Sequence, residues 1–145
     1  MKEIKFKLYL QQNDTGIITT KTFSYAEIFS GEAIRELETT YIRYAVIGKS
    51  QYTGLKDKNG KEIYEEDIIK FTEIDEDSAF GREETHTGVV KWVDSIAQWR
   101  FIYSSGQRRE LHLGELHLVT NFESVYKCGV IGNLYENPEL LNKQD

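Results

Sequence analysis

The residues that could carry chemistry lie apart from one another along the chain. Glu110-Leu111-His112-Leu113 is echoed by Glu115-Leu116-His117-Leu118, an offset of five residues. If Gly114 bulges, His112 and His117 share a face, and Glu110 or Glu115 could complete a metal site. The pair lacks the close helical or Cys-flanked spacing of a zinc motif, so the solvated face of an amphipathic strand is the preferred reading. Glu73, Asp75, Glu76 and Asp77 form an acidic run near His86. A calcium loop needs Gly at its sixth position and a distal bidentate Glu, and Asp-Glu-Asp-Ser-Ala-Phe-Gly-Arg-Glu-Glu does not supply that order. The run reads as a solvated loop from about 73 to 84, with imitation of phosphate charge toward a basic protein as an alternative. Cys128 sits in Tyr-Lys-Cys-Gly-Val-Ile, an apolar strand where a thiol is packing. GxSxG, HExxH and GxxxxGK[ST] are all missing from the sequence.

A second chemistry is nucleic-acid binding. Trp99, Arg100, Phe101, Tyr103, Arg108 and Arg109 lie close together and could stack and neutralise a strand. The competing reading, which we prefer, makes Trp99, Phe101 and Tyr103 the core face of one β-strand. Charge gives nucleic acid little support. The net charge is −6, yet residues 1–72 carry eleven basic and eleven acidic groups, and residues 73–84 alone carry −5. The chain is therefore near neutral around one acidic loop, with no dense Lys/Arg cluster.

These residues need a scaffold, and the sequence describes a β-rich one. At 145 residues the chain can bury roughly two-thirds of its unfolded surface and is expected to form a single domain, 1–145. Within it, residues 1–48 form N-terminal strands with a short helix and 49–145 a barrel-like portion. Ile4, Phe6, Leu8 and Leu10 alternate with polar residues as in a half-buried strand, and Ile17 to Phe23 returns as its hairpin partner. Ser24 and Glu27 have capping-box spacing for a helix that ends near Gly31. A further helical segment at 32–38 places Ile34 and Leu37 on one face. Tyr41 to Ile47 reads as a strand ended by a turn at Gly48-Lys49-Ser50. Asn59-Gly60 marks a tight hairpin with positive φ angles, and Asp67 is placed to brace the turn after Tyr64. Thr87–Val93 and Ile96–Tyr103 pair around Asp94-Ser95, and Glu123–Tyr135 holds the last strand. Asn137-Pro138 starts a closing helical turn docked by Leu140 and Leu141. Short strands at close spacing favour a small antiparallel barrel or sandwich. The charged start, Met1-Lys2-Glu3-Ile4-Lys5, argues against an export signal, and no apolar run reaches membrane-spanning length. A lone cysteine suits a reducing cytoplasm.

Two segments carry a family resemblance. Gln51-Tyr52-Thr53-Gly54-Leu55-Lys56-Asp57-Lys58-Asn59-Gly60-Lys61-Glu62-Ile63-Tyr64-Glu65-Glu66-Asp67-Ile68 and Val130-Ile131-Gly132-Asn133-Leu134-Tyr135-Glu136-Asn137-Pro138-Glu139-Leu140-Leu141 resemble the two motifs of the YopX-like family of phage and prophage proteins. The resemblance implies a β-rich pseudo-barrel with SH3-like features, a bacterial cytoplasmic setting, and no assigned reaction. The family usually carries Gly where Glu66 stands, so Glu66 either adopts an ordinary conformation or tolerates strain. The leading expectation is a non-enzymatic protein-binding or adaptor module with a host or phage partner and no cofactor. Homo-oligomer formation through exposed strand edges is also expected. The alternatives are a small-barrel nucleic-acid-binding protein and a metal-dependent hydrolase. Candidate binding-surface residues are Gln51, Tyr52, Lys56, Asp57, Lys58, Trp99, Arg100, Arg108 and Arg109. Lys56, Asp57 and Lys58 are expected at a rigid, exposed hairpin tip.

Overall fold

The computed structural model describes residues 3–40, 42–75, 79–103, 110–112 and 126–141. The chain divides into two compact units, residues 1–54 and 55–145. Their boundary falls at Gly54/Leu55, a few residues beyond the division the sequence suggests. Among the described residues no helix is long and apolar enough to cross a membrane.

In the first unit, β1 (Lys5–Gln12) pairs antiparallel with β2 (Ile18–Ser24), the hairpin that the alternating pattern predicts. β1 also pairs with β3 (Tyr44–Lys56). The expected turn at Gly48–Ser50 is replaced by continuous strand. Tyr9 faces Gly48 and Leu10 faces Val46, so Ile47 is an extra residue in a bulge. Pairing with β1 carries the chain straight through, and the bulge absorbs the irregularity that glycine signals. Ser24 caps α1 (Tyr25–Ser30) in a complete capping box: its N–H donates to Glu27 Oε2 at 2.7 Å, and the Glu27 N–H donates to Ser24 Oγ at 3.4 Å. The Ser24 hydroxyl, donating to Glu27 Oε2 at 2.6 Å, and then the Ser24 N–H hold the Glu27 carboxyl below its ordinary pKa. Gly31, at φ +80°, ends α1, and α2 (Glu32–Thr40) follows. The inward residues of α2 are Ala33 and Leu37, whereas Ile34 is 59% exposed. The predicted Ile34/Leu37 face is therefore corrected to a spacing of four. Seven residues of pattern do not determine the rotation of so short a helix.

The second unit begins with the end of β3, which pairs with β4 (Glu62–Tyr64). Five strands follow in the order β8-β7-β6-β5-β9, all antiparallel: β5 (Asp67–Asp75), β6 (Arg82–Val93), β7 (Gln98–Tyr103), β8 (Glu110–His112) and β9 (Tyr126–Asn133). The core is Ile63, Ile69, Phe71, Val90, Trp99, Phe101 and Cys128, with Leu55 and Val130 packed against it. Phe71 and Phe101 meet edge to face at 5.0 Å. Trp99 and Phe101 thus form the core face that strand alternation predicts; the side chain of Tyr103 lies outside the described residues.

The acidic loop is corrected. Glu73, Ile74 and Asp75 continue β5 and pair with Glu84, Glu83 and Arg82 of β6, while Glu76 and Asp77 lie outside the described residues. Main-chain ladder bonds extend both strands although the sequence there is too charged to show periodicity. The turn at Asp94 is a short 3-10 segment closed by Ala97 at φ +50°. Pro138–Leu141 forms the predicted closing helical turn. Residues 104–109 and 113–125 lie outside the described residues, and with them Arg108, Arg109, His117 and the Gly114 bulge. Neither sheet closes on itself among the described residues: the protein is mainly β, with two antiparallel sheets and no closed barrel.

Candidate functional site

The two resembling segments are brought together in the second unit, and their polar residues make the junction. The hairpin tip runs Asp57-Lys58-Asn59-Gly60-Lys61. Gly60 N–H donates to the Asp57 carbonyl at 3.0 Å, Asp57 N–H donates to the Lys61 carbonyl at 2.8 Å, and Gly60 alone takes positive φ, +78°. This is the three-residue hairpin loop whose last residue is left-handed, so Asn59 keeps an ordinary φ. That revises the expectation that both Asn59 and Gly60 supply positive angles.

Asp57 is buried at 6% exposure, which corrects its expected place on an exposed tip. Its Oδ1 accepts the N–H of Asn59 at 2.8 Å and of Lys61 at 2.9 Å. Its Oδ2 accepts the N–H of Val130, 73 residues along the chain, at 2.9 Å. One carboxylate thereby closes the turn and holds β9. Lys58 N–H adds a bond to the Cys128 carbonyl at 3.2 Å. On an antiparallel strand alternate residues send both main-chain groups to the same side. Val130 and Cys128 are opposite Ile69 and Phe71, but the Val130 N–H and the Cys128 C=O are taken by the hairpin. The tip therefore covers the free edge of β9, the exposure that β-proteins protect by other devices.

The second junction is the turn Tyr64–Asp67. Asp67, 2% exposed, accepts the Tyr64 N–H at 2.8 Å, the brace the sequence suggests. Glu66 has φ +65°, so the chain tolerates a left-handed conformation at the position where the resemblance implies glycine. Its N–H donates to the Val90 carbonyl at 2.9 Å, and its carbonyl accepts Leu134 N–H at 3.0 Å. Its carboxylate is clasped by Lys91 Nζ, 2.6 Å from both oxygens. Asn133 Oδ1 accepts the N–H of Tyr135 and Glu136, turning the chain into the closing helical turn. A Cβ on Gly132 would sit 2.7 Å from Asn137 Oδ1 and 2.8 Å from Leu140 Cδ1, so a larger residue there needs those side chains to shift.

Glu66 yields a test of strain against charge. Replacement by Gly removes a left-handed penalty of about 1–2 kcal/mol and an ion pair worth less than about 1 kcal/mol at this exposure. Glu66→Gly should therefore match or exceed the native urea midpoint. Glu66→Ala keeps the strain and loses the pair, so its midpoint should fall. Equal losses in both variants would contradict the strained-turn account.

The remaining candidate residues differ in burial. Lys56 and Lys58 are exposed. Tyr52 is buried at 4% exposure, its ring 5.4 Å from Lys5 Nζ, and half-buried Gln51 faces Phe6. Trp99 is 8% exposed, packed edge to face on Trp92 at 5.0 Å. Arg100, half-buried, faces Lys91 across the ladder. The side chain of His112 is outside the described residues, and among those residues no group of three or more His, Cys, Asp or Glu could hold a metal. Burial, with Asp57 beside it, pushes the Cys128 thiol up to about 12, so it carries no thiolate at neutral pH.

One surface was missed in the sequence. No residue of α1 is buried, and it carries Tyr25, Ile28 and Phe29 at i, i+3 and i+4. Their exposures are 54%, 39% and 80%, and the Tyr25 and Phe29 rings stack at 5.7 Å. The capping box predicted the helix, and the spacing of these residues was the available signal for its apolar face. Around it, residues 25–40 carry Glu27, Glu32, Glu36 and Glu38 against Arg35.

Comparison with known proteins adds a family match. A family model described as YopX protein matches residues 6–142. Among solved structures the chain is similar to protein EF1440 from Enterococcus faecalis, at 24% identity over 92% of this chain and 74% of that one, with a TM-score of 0.35. No curated protein matches the chain.

Proposed function

The chain belongs to the YopX protein family, and from that membership we propose that it is a phage- or prophage-encoded, non-enzymatic protein-binding module of the bacterial cytoplasm. The observation that carries this reading is the α1 face. A six-residue helix with no fully buried residue presents two stacked aromatic rings and an isoleucine to solvent. The partner is a protein with an apolar ridge flanked by Lys or Arg, since the surrounding segment is acidic. The polar residues of the two family motifs support the same reading, because Asp57, Asp67 and Asn133 spend their oxygens on main-chain N–H groups. An SH3-like pseudo-barrel for the second unit belongs to this proposal, with the bulge in the β5–β9 pairing as a source of sheet curvature.

Nucleic-acid binding has less support, because Trp99 and Phe101 are buried. The test is affinity capture with the native protein and with Tyr25→Ser/Phe29→Ser, a pair of exposed positions whose loss should leave stability within about 0.5 kcal/mol. A protein retained by the native chain, lost with the variant and weakened by salt supports the proposal. An identical set of captured proteins for both, or capture only of the chain's own copies or of nucleic acid, overturns it.

A further inference from the structure

We propose that Asn59 is a site of spontaneous deamidation and that the Asp57 clasp sets its rate. The chemistry needs only this chain and water. The main-chain nitrogen of Gly60 attacks Asn59 Cγ, forming a C–N bond as the side-chain nitrogen leaves as ammonia. Water then opens the resulting five-membered imide at either carbonyl, giving Asp or isoaspartate at position 59. The Gly60 N–H proton leaves with the ammonia, no electrons are gained or lost, and the net change is an amide and water becoming a carboxylate and ammonium.

The tip meets the steric demand of this reaction. Asn59 and Gly60 are both exposed, and nothing lies within 4 Å of the place a Cβ would occupy on Gly60. A glycine in that position leaves the attacking nitrogen unshielded. The fold opposes the reaction through hydrogen bonding. The Gly60 N–H is donated to the Asp57 carbonyl at 3.0 Å, and the Asn59 N–H to Asp57 Oδ1 at 2.8 Å. The first bond must break, and the turn that the second helps to hold must open, before the Gly60 nitrogen can swing onto Asn59 Cγ. Reaction therefore proceeds from an opened tip, and Asp57 governs how often the tip opens.

The product does not return to the starting geometry. Isoaspartate lengthens the main chain by one methylene within the turn that carries Asp57 to Val130. Either product also sets a new carboxylate beside Asp57, where like charges repel. Modification thus weakens the cover over the β9 edge, and an aged chain should expose it.

The experiment follows the Asn59 peptide by mass mapping during incubation at mildly alkaline pH, for the full chain folded and in urea. Folded native protein should react about tenfold or more slowly than the urea-unfolded chain, the protection expected of two main-chain hydrogen bonds. Gly60→Ala in urea should slow the reaction. Asp57→Ala, shown to be folded by its near-ultraviolet circular dichroism, should react faster than the folded native chain, because it removes the acceptor of the Asn59 and Lys61 N–H groups. The proposal is overturned by equal rates in folded and unfolded native protein. It is equally overturned if folded Asp57→Ala reacts at the native rate, or if Asn59 is unmodified even in urea.

Discussion

Asp57→Ala is expected to lower the stability of the second unit by about 3 kcal/mol, since buried N–H groups left unpaired cost about 1–3 kcal/mol each and some regain water. Three main-chain donors lose their acceptor at once: Asn59, Lys61 and Val130. The loss is asymmetric, because two of the donors belong to the turn and the third to a strand far along the chain. Asp57→Asn separates these roles. Its remaining oxygen can still serve Asn59 and Lys61, but its amide nitrogen then points a donor at the Val130 donor, so an intermediate loss is expected. The ranking native, Asn, Ala in urea midpoint checks the account, and an Asn variant as stable as the native protein would contradict it. Alkylation of Cys128 offers a second readout. Burial is the main reason its thiol stays protonated and Asp57 the next, and opening the clasp relieves both. Cys128 should label faster in both variants, with size-exclusion chromatography showing self-association through the uncovered β9 edge.

The other large effect is expected at Gly88, where the obstacle is main chain and cannot step aside. A Cβ there would overlap the carbonyl oxygen of Ile102 and come within 2.8 Å of the Phe101 ring. Gly88 faces Tyr103 and its neighbour Val89 faces Ile102, so the clash lies inside the β6–β7 ladder. Relief requires the strands to separate, and β7 carries Trp99 and Phe101 of the core. Gly88→Ala should destabilise the unit by about 3 kcal/mol, the upper end of ordinary overpacking, because ladder bonds are lost along with packing. Gly129→Ala is the matched control: a Cβ at that site meets Lys58 Cε at 3.5 Å and Asn59 Nδ2 at 3.9 Å, both ordinary contacts. A melting temperature that falls sharply for Gly88→Ala and little for Gly129→Ala is the expected result. Trimming Phe101 to Leu should not rescue Gly88→Ala, since the Ile102 carbonyl remains.

Local signals determined much of this protein without tertiary help. Alternation of apolar and polar residues defined β1 and β2, Ser24 with Glu27 defined the start of α1, and Asn137-Pro138 defined the closing turn, because each depends on groups a few residues apart. The core role of Trp99 and Phe101 was legible for the same reason: strand period assigns alternate residues to one face. The family, too, could be read from two short motifs. What those motifs do could not. Asp57 looks like a charged turn residue in sequence, and its burial follows only from Val130 N–H arriving beside it from the far end of the chain. The left-handed Glu66 was left open by sequence because its conformation is held by Val90, Lys91 and Leu134, contributed by other elements. The strand pairing of Glu73–Asp75 with Arg82–Glu84 was hidden because ladder bonds join main chains and leave no trace in side-chain pattern. The open face of α1 is the reverse case, for the spacing of Tyr25, Ile28 and Phe29 was present in the sequence. Sequence spacing marks a face as apolar, while only the packed structure decides whether anything covers it.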